Sequence, residues 1–134
     1  MPRRKKISPS LTLLIIDDDS NVRSMLCAIG ERMGFKPFPV ASFEDLRASF
    51  GLITPSVIIL DLMLGASDGV EVLKFLAGRV CFAPVILITG YDKLFMDAVE
   101  TKVAPLGLNI VAKVPKSHLK DIGQVLEKFS FKPV

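Results

Sequence analysis

The hydrophobic positions of this chain form short continuous runs, and each run is followed by a stretch with helical spacing. A run that is apolar throughout and only four to six residues long is typical of a strand buried on both faces of a sheet. One further run alternates apolar with other residues and contains Pro37 and Pro39. We predict five strands, over Leu11 to Ile16, Phe35 to Ala41, Val57 to Leu60, Val85 to Ile88 and Ile110 to Val114.

The stretches after the strands repeat apolar residues every three or four positions, which predicts five helices. Ser20 and Ser42 are the predicted N-caps of the first two, because a serine hydroxyl accepts a hydrogen bond from a free amide of the first turn. Gly34 is predicted to end the first helix. The apolar positions of the helices run over Val22 to Met33, Phe43 to Phe50, Val70 to Leu76, Leu94 to about Ala104, and Leu119 to Phe129.

The alternation of strands and helices predicts an α/β fold with a parallel sheet, because right-handed crossovers bring successive strands into one sheet with their carboxyl ends at one edge. Pro37 and Pro39 lack the amide hydrogen that a central strand needs, so the second strand belongs at an edge of the sheet. With 134 residues, half of them hydrophobic, the chain has room for one domain. We expect a basic, disordered tail over residues 1–10, one domain over residues 11–130, and no output domain.

Polar side chains stand where the predicted strands end. They are Asp17, Asp18 and Asp19 after the first strand, Asp61 after the third, Thr89 after the fourth, and Lys113 and Lys116 at the fifth. Because the carboxyl ends of parallel strands share one crevice, we expect these side chains to form a single site. A lone aspartate such as Asp61 would more often only end a strand and begin a turn, whereas the joint pattern is far more specific.

The chemistry of this set favours phosphoryl transfer. Clustered carboxylates repel one another unless a cation joins them, and Mg²⁺ is commonly held by one or two carboxylates together with water and phosphate oxygens. A threonine hydroxyl and a lysine ammonium complement the oxygens and charge of a phosphoryl group. The strand-end set contains no serine, cysteine or histidine, so the nucleophile available in it is a carboxylate, and aspartyl phosphates are established intermediates.

With these residues in place, the chain resembles the receiver domains of response regulators over about Leu11 to Phe129. The resemblance rests on the segments Ile15 to Ser20, Ile58 to Gly69 and Val85 to Gly90 and on the lysine after the fifth strand. It implies a flavodoxin-like, doubly wound five-stranded parallel sheet of order 2-1-3-4-5 with five helices.

The resemblance also implies roles for the site residues. Asp61 would be the phosphoacceptor, and Mg²⁺ would be held by Asp17, Asp18, Asp61 and the backbone carbonyl of Met63. Thr89 would bind the phosphoryl group and move with it, and the lysine would pair with its charge. The protein would then be no enzyme beyond catalysing its own phosphorylation and autodephosphorylation.

The partners implied by the resemblance are proteins. A sensor histidine kinase or a histidine phosphotransfer protein would donate the phosphoryl group in a two-component or phosphorelay pathway. A downstream protein would dock on the fourth and fifth helices and the last strand, and a homodimer is a further arrangement to test. We expect no direct DNA binding, no membrane association and a cytoplasmic location.

The chain departs from the family pattern around the lysine. Receivers usually have Lys-Pro after the last strand, whereas Lys113 precedes Val114 and Lys116 precedes Ser117. Both lysines stay candidates. We prefer Lys116, because the segment from Gly107 is similar to receivers joined to cyclic-di-GMP phosphodiesterase domains, in which the later lysine is used.

Further departures concern the switch and the loop beside the phosphoacceptor. The position three residues before the lysine is commonly aromatic, and here it is Lys113 or Ile110, depending on the lysine, so whether the usual coupling of threonine to an aromatic operates stays open. Gly65 stands where proline is frequent, which gives that loop more freedom. Tyr91, two residues after Thr89, is expected to shield the acyl phosphate from water.

Composition narrows the class of protein. Lysine and arginine number 17 against 14 aspartate and glutamate residues, but the run from Arg3 to Lys6 supplies four of the cations, so the body is close to neutral. No basic stripe interleaved with aromatics follows, so nucleic-acid binding is not expected. The longest apolar runs are too short to span a bilayer. Cys27 and Cys81 are expected to be buried free thiols rather than a disulfide or zinc ligands.

Two alternative functions remain at this point. A binding module could keep the fold and signal without phosphorylation, as a pseudo-receiver, which the missing aromatic and missing Lys-Pro favour and the intact acidic set opposes. A haloacid-dehalogenase-like phosphatase would use Asp17 and Asp19 as its Asp-x-Asp motif. That family needs a further acidic pair after its lysine, where only Asp121 and Glu127 follow, and its chains are longer.

Overall fold

The chain forms one parallel sheet with helices on both faces. The structure, a computed structural model, describes residues 11–64, 69–79, 81–90 and 93–130, without the side chains of residues 93–96. The strands are β1 (Leu11–Ile16), β2 (Phe35–Val40), β3 (Val57–Asp61), β4 (Val85–Thr89) and β5 (Ile110–Pro115). The helices are α1 (Ser20–Arg32), α2 (Phe43–Ser49), α3 (Gly69–Gly78), α4 (Lys93–Val103) and α5 (Ile122–Glu127).

The strand order is β2-β1-β3-β4-β5 and all four pairings are parallel, which confirms the predicted fold class and sheet order. In β2, the Val40 carbonyl accepts the Asp17 amide at 3.2 Å. Because backbone groups alternate sides along a strand, the nitrogens of Pro37 and Pro39 face away from β1. The two prolines therefore remove no bond from the sheet, and β2 lies at an edge as predicted.

Two apolar layers cover the two faces of the sheet. On one face, Leu14, Ile58, Leu60 and Leu87 of the strands pack with α2, α3 and α4. On the other face, strand residues of the opposite parity pack with α1 and α5. This arrangement leaves the carboxyl edge of the sheet as the place where polar strand-end residues meet.

Two local predictions are wrong. The N-cap of α1 is Asp19, not Ser20: the Asp19 carboxylate accepts from the amides of Asn21 and Val22, and Ser20 is the first helical residue. The closing helix is also shorter than predicted, because a 3₁₀ helix over Lys116–Asp121 precedes α5. The backbone of His118 is not helical and interrupts this segment, and Leu119 and Ile122 after it are both buried.

The other predictions about local structure fare better. Ser42 caps α2, with its hydroxyl accepting from the Asp45 amide at 3.1 Å, and Gly34 follows α1 with φ +89°. Cys27 and Cys81 are free thiols as predicted, but each is half-buried rather than fully buried. Over the described part of the chain, every helix is too short or too polar to cross a membrane.

Candidate functional site

Asp61 is the last residue of β3 and its side chain is completely buried. β3 is apolar until this position, so the strand carries the carboxylate to the edge of the sheet and holds it there. Immediately afterwards the chain turns, and the Met63 amide reaches back to donate to Asp61 Oδ1 at 2.8 Å. Such a bond from an aspartate to the amide two residues later is the usual Asx turn. One carboxylate oxygen is thus fixed, and the other faces the crevice.

Asp17 follows β1 directly and is also fully buried. Its Oδ1 accepts the Asp19 amide at 2.8 Å, and Asp19 in turn caps α1. Asp18, between them, is exposed. The three aspartates therefore have different positions: Asp17 is buried in the site, Asp18 is exposed at its edge, and Asp19 caps α1.

Asp17, Asp18 and Asp61 come together as an acidic cluster, each offering a carboxylate oxygen within 4.8 Å of the others. Asp17 Oδ2 is buried and has no hydrogen-bond partner in the described part of the chain. This unpaired oxygen and the two neighbouring carboxylates together form the kind of donor set that a hard cation such as Mg²⁺ prefers. The residues present therefore fit the metal that the sequence predicts.

Burial and the neighbouring carboxylates raise the pKa of Asp17 from 3.8 to about 6. Burial is the main cause, because it penalises the charged carboxylate, and the charges of Asp61 and Asp18 add to it. The Asp19 amide and the Lys116 ammonium oppose the shift without cancelling it. Close to neutral pH, ionising Asp17 in the metal-free site therefore costs more free energy than ionising an ordinary aspartate in water.

Lys116 lies beside Asp61, with Nζ 3.1 Å from Asp61 Oδ2. The contact is an ion pair without hydrogen-bond geometry: among the described residues, Asp61 Oδ2 has no hydrogen-bond partner. Burial disfavours the ammonium, but Asp61, and after it Asp17 and Asp18, outweigh burial and raise the pKa of Lys116 above its usual value. Lys116 thus stays charged in the site.

Lys113 lies elsewhere. In the register of β4 and β5 it pairs with Leu87, two residues inside the sheet edge, and its ammonium contacts Glu100 of α4. Pro115 pairs with Thr89, the last residue of β4, so Lys116 is the first residue past the edge. Register therefore separates the two candidate lysines.

Thr89 is nearly buried, with 8% of its surface exposed, at the end of β4. In the same register Asp61 pairs with Ile88, so Thr89 lies one residue beyond the level of Asp61 on the neighbouring strand. Tyr91, the loop around Gly65 and the tail over residues 1–10 lie outside the described residues.

The sequence reasoning missed Arg23. Its guanidinium Nη1 donates to the backbone carbonyl of Asp17 at 2.8 Å, from one turn inside α1. The available signal was its position one turn after the acidic run, where a long side chain can fold back over the helix start. Periodicity alone does not distinguish such an arginine from one that points into solvent.

Comparison with known proteins gives a family match. The family model described as "Response regulator receiver domain" matches residues 13–116. The regulatory protein AtoC of Escherichia coli K12 is 33% identical over 94 residues, which are 70% of this chain and 19% of AtoC. The chain spans about a fifth to a third of the length of the curated relatives it matches.

Solved structures show the same similarity. The crystal structure of a response regulator from Colwellia psychrerythraea has a TM-score of 0.73 and 30% identity, covering 88% of this chain and 94% of that one. A CheY-like receiver domain protein from Methanospirillum hungatei JF-1 has a TM-score of 0.74, covers 89% of this chain and 92% of that one, and is 19% identical, which supports the fold alone.

Proposed function

Because the chain belongs to the receiver-domain family of response regulators, we propose that it accepts a phosphoryl group on Asp61 in a two-component or phosphorelay pathway. The donor would be a phosphohistidine of a sensor histidine kinase or of a histidine phosphotransfer protein. The observation that carries the proposal is the state of Asp61. It is fully buried, its Oδ2 has no hydrogen bond within the described residues, and the Lys116 ammonium lies 3.1 Å from that oxygen.

The geometry suits nucleophilic attack by a carboxylate. The Met63 amide holds Asp61 Oδ1, so the lone pairs of Oδ2 stay available. In the proposed step an Asp61 oxygen bonds to phosphorus while the phosphorus–nitrogen bond of the phosphohistidine breaks, and the histidine nitrogen leaves with that electron pair. The Lys116 ammonium would pair with the oxygens of the incoming group, and the Thr89 hydroxyl would bind one of them.

The acidic cluster would hold the metal. We propose Asp17, Asp18 and Asp61 as ligands, with the Met63 backbone carbonyl as a fourth. When bound, Mg²⁺ supplies the positive charge that offsets the carboxylates and the charge developing on the phosphoryl oxygens. The buried, unpaired Oδ2 of Asp17 supports this assignment, because a buried carboxylate oxygen without a partner is costly.

We propose that the acyl phosphate biases a two-state surface that a partner protein reads by docking. The partner would be a protein and not DNA, and the location cytoplasmic. That the domain works as a stand-alone receiver remains a prediction. The match to the receiver-domain family opposes the phosphatase alternative. The pseudo-receiver remains as the function that a negative result would favour.

The test is the intact mass of the protein after exposure to acetyl phosphate, with and without Mg²⁺. We expect wild type to gain the mass of one phosphoryl group only when Mg²⁺ is present. Asp61→Asn should show no adduct, because an amide oxygen is a poor nucleophile. Asp121→Asn is the matched control, since it removes an exposed carboxylate outside the site and should behave as wild type.

An adduct of the same size in Asp61→Asn would contradict the assignment of Asp61. Some receivers accept phosphoryl groups only from their kinase, so a sample without adduct is next titrated with beryllofluoride and Mg²⁺. Unchanged amide NMR spectra in that titration would favour the phosphorylation-independent binding module.

A further inference from the structure

The backbone carbonyl of Asp17 needs a donor from outside the sheet. The Asp17 amide bonds to the Val40 carbonyl of β2 at 3.2 Å, and in a parallel strand the carbonyl of the same residue faces the same neighbour. β2 ends at Val40, however, and two residues later Ser42 caps α2. The Arg23 guanidinium donates to this carbonyl instead, with Nη1 2.8 Å from the Asp17 oxygen.

This bond fixes the backbone at the start of the short acidic loop from Asp17 to Asp19. At the end of the loop, the Asp19 amide donates to Asp17 Oδ1 at 2.8 Å, and the Asp19 carboxylate caps α1. The backbone of Asp17 is therefore held through its amide and its carbonyl, and its side chain through one oxygen. The remaining oxygen, Oδ2, is left toward Asp18 and Asp61.

We propose that Arg23 is a positioning residue for the metal site: its bond to the Asp17 carbonyl holds the carboxylates of Asp17 and Asp18 beside Asp61 against their mutual repulsion. The proposal rests on the proposed function, because it concerns the same Mg²⁺ site. A hydrogen bond from a charged donor is among the stronger ones and suits this task. Residues that orient metal ligands without touching the metal typically change metal affinity by about 10 to 100-fold.

The role is geometric rather than one of charge compensation. Among the described residues, the ion pairs found do not include Arg23. The contribution of Arg23 therefore acts through the position of the backbone, and it depends on a donor that reaches the Asp17 carbonyl.

The test measures the Mg²⁺ dissociation constants of four proteins by backbone-amide NMR titration of the full chain. They are the wild type, Arg23→Met, Arg23→Lys and Arg32→Met. Arg32 is the matched control, because it lies exposed in the last turn of the same helix and its loss changes the net charge equally. We expect the Mg²⁺ dissociation constant of Arg23→Met to rise about 10-fold. Arg23→Lys, which keeps a charged donor, should recover most of that loss, and Arg32→Met should match wild type.

A second measurement separates positioning from general stability. At saturating Mg²⁺ the rate of phosphorylation by acetyl phosphate in Arg23→Met should return to within about threefold of wild type, because the metal itself then gathers the carboxylates. A variant that is merely less stable, but still folded without Mg²⁺, would keep the wild-type Mg²⁺ dissociation constant, because its folded fraction binds the metal normally. If Arg23→Met does not give a folded spectrum, Arg23→Gln takes its place, with a smaller expected loss of Mg²⁺ affinity, because the glutamine amide is a neutral and weaker donor.

The inference would be overturned, and the proposed function left intact, if Arg23→Met bound Mg²⁺ as tightly as wild type and Arg32→Met do. Where Arg23→Gln replaces Arg23→Met, the same outcome applies to that variant. A wild type that binds no Mg²⁺ would overturn both.

Discussion

Lys113 and Lys116 are three residues apart, yet they occupy different environments. Lys113 is paired with Leu87 inside the sheet, so its side chain lies on the face covered by α4 and meets Glu100. Lys116 follows the strand, where the chain begins to wind into a 3₁₀ helix, and its ammonium contacts Asp61. The side chain that can assist chemistry at Asp61 is thus selected by its distance past the edge of the sheet.

We expect Lys116→Ala to slow phosphorylation by acetyl phosphate by about 100-fold at saturating Mg²⁺, because it removes a preorganised cation from the reacting carboxylate. Lys113→Ala should change the rate less than about threefold, since an exposed ion pair contributes little. Both rates are measured by intact mass over time. A larger effect in Lys113→Ala would transfer the assisting role to that lysine.

At the scale of secondary structure elements, the start of α3 determines how closely the helix approaches the site. Gly69 is the first residue of α3, and its amide donates to the Leu62 carbonyl at 3.1 Å. A Cβ at this position would lie 2.7 Å from Leu62 Cα, which is backbone and cannot turn away as a side chain would. Leu62 follows Asp61 directly, so the absence of a side chain at Gly69 keeps α3 against the turn that presents Asp61.

We expect Gly69→Ala to lower the free energy of unfolding by about 1 to 3 kcal/mol, because the added methyl group displaces the helix start or the Leu62 backbone. Gly78→Ala is the matched control at the other end of α3, where an added Cβ would meet no atom within 4 Å. That variant should be neutral or more stable by a few tenths of a kcal/mol. Urea denaturation measures both, and equal stability of the two variants would contradict the packing argument.

At the scale of the whole molecule, the buried carboxylate of Asp17 lowers the stability of the metal-free domain above about pH 6. Asp17 has a pKa of about 6 in the folded protein against an ordinary value of 3.8. The folded state therefore binds the Asp17 proton more tightly than the unfolded state does. The stability that this tighter proton binding contributes is fully present below about pH 4 and is lost as the pH rises through about 6.

Asp17→Asn removes this titration, so without Mg²⁺ we expect it to exceed wild type in the free energy of unfolding by up to about 3 kcal/mol at pH 8. The difference should shrink toward pH 4, where wild-type Asp17 is protonated. Asp121→Asn, an exposed carboxylate outside the cluster, serves as the control. Urea denaturation over this pH range checks the prediction, and a wild type that is more stable than Asp17→Asn at pH 8 would contradict it.

Much of the fold follows from local pattern. The apolar runs located all five strands, and Pro37 and Pro39 put β2 at an edge, because the missing amide hydrogen is a property of the residue itself. Helix ends were less certain. Asp19 and Ser20 can both cap a helix, and the preference for Asp19 depends on how the chain leaves β1, which the residue types alone do not state.

For the site, the sequence by itself determined that Asp17, Asp18, Asp61 and Thr89 stand at the ends of parallel strands, because an apolar run must stop where its first polar residue begins. The tertiary structure decided which lysine reaches Asp61, since that depends on the register between β4 and β5. It also decided that Arg23 supplies the donor for the Asp17 carbonyl, because β2 ends level with Ile16, one residue before Asp17, and the Arg23 side chain reaches back from α1 to that carbonyl. Each of these contacts depends on how far one side chain extends toward another element, and the local pattern of apolar residues does not predict that.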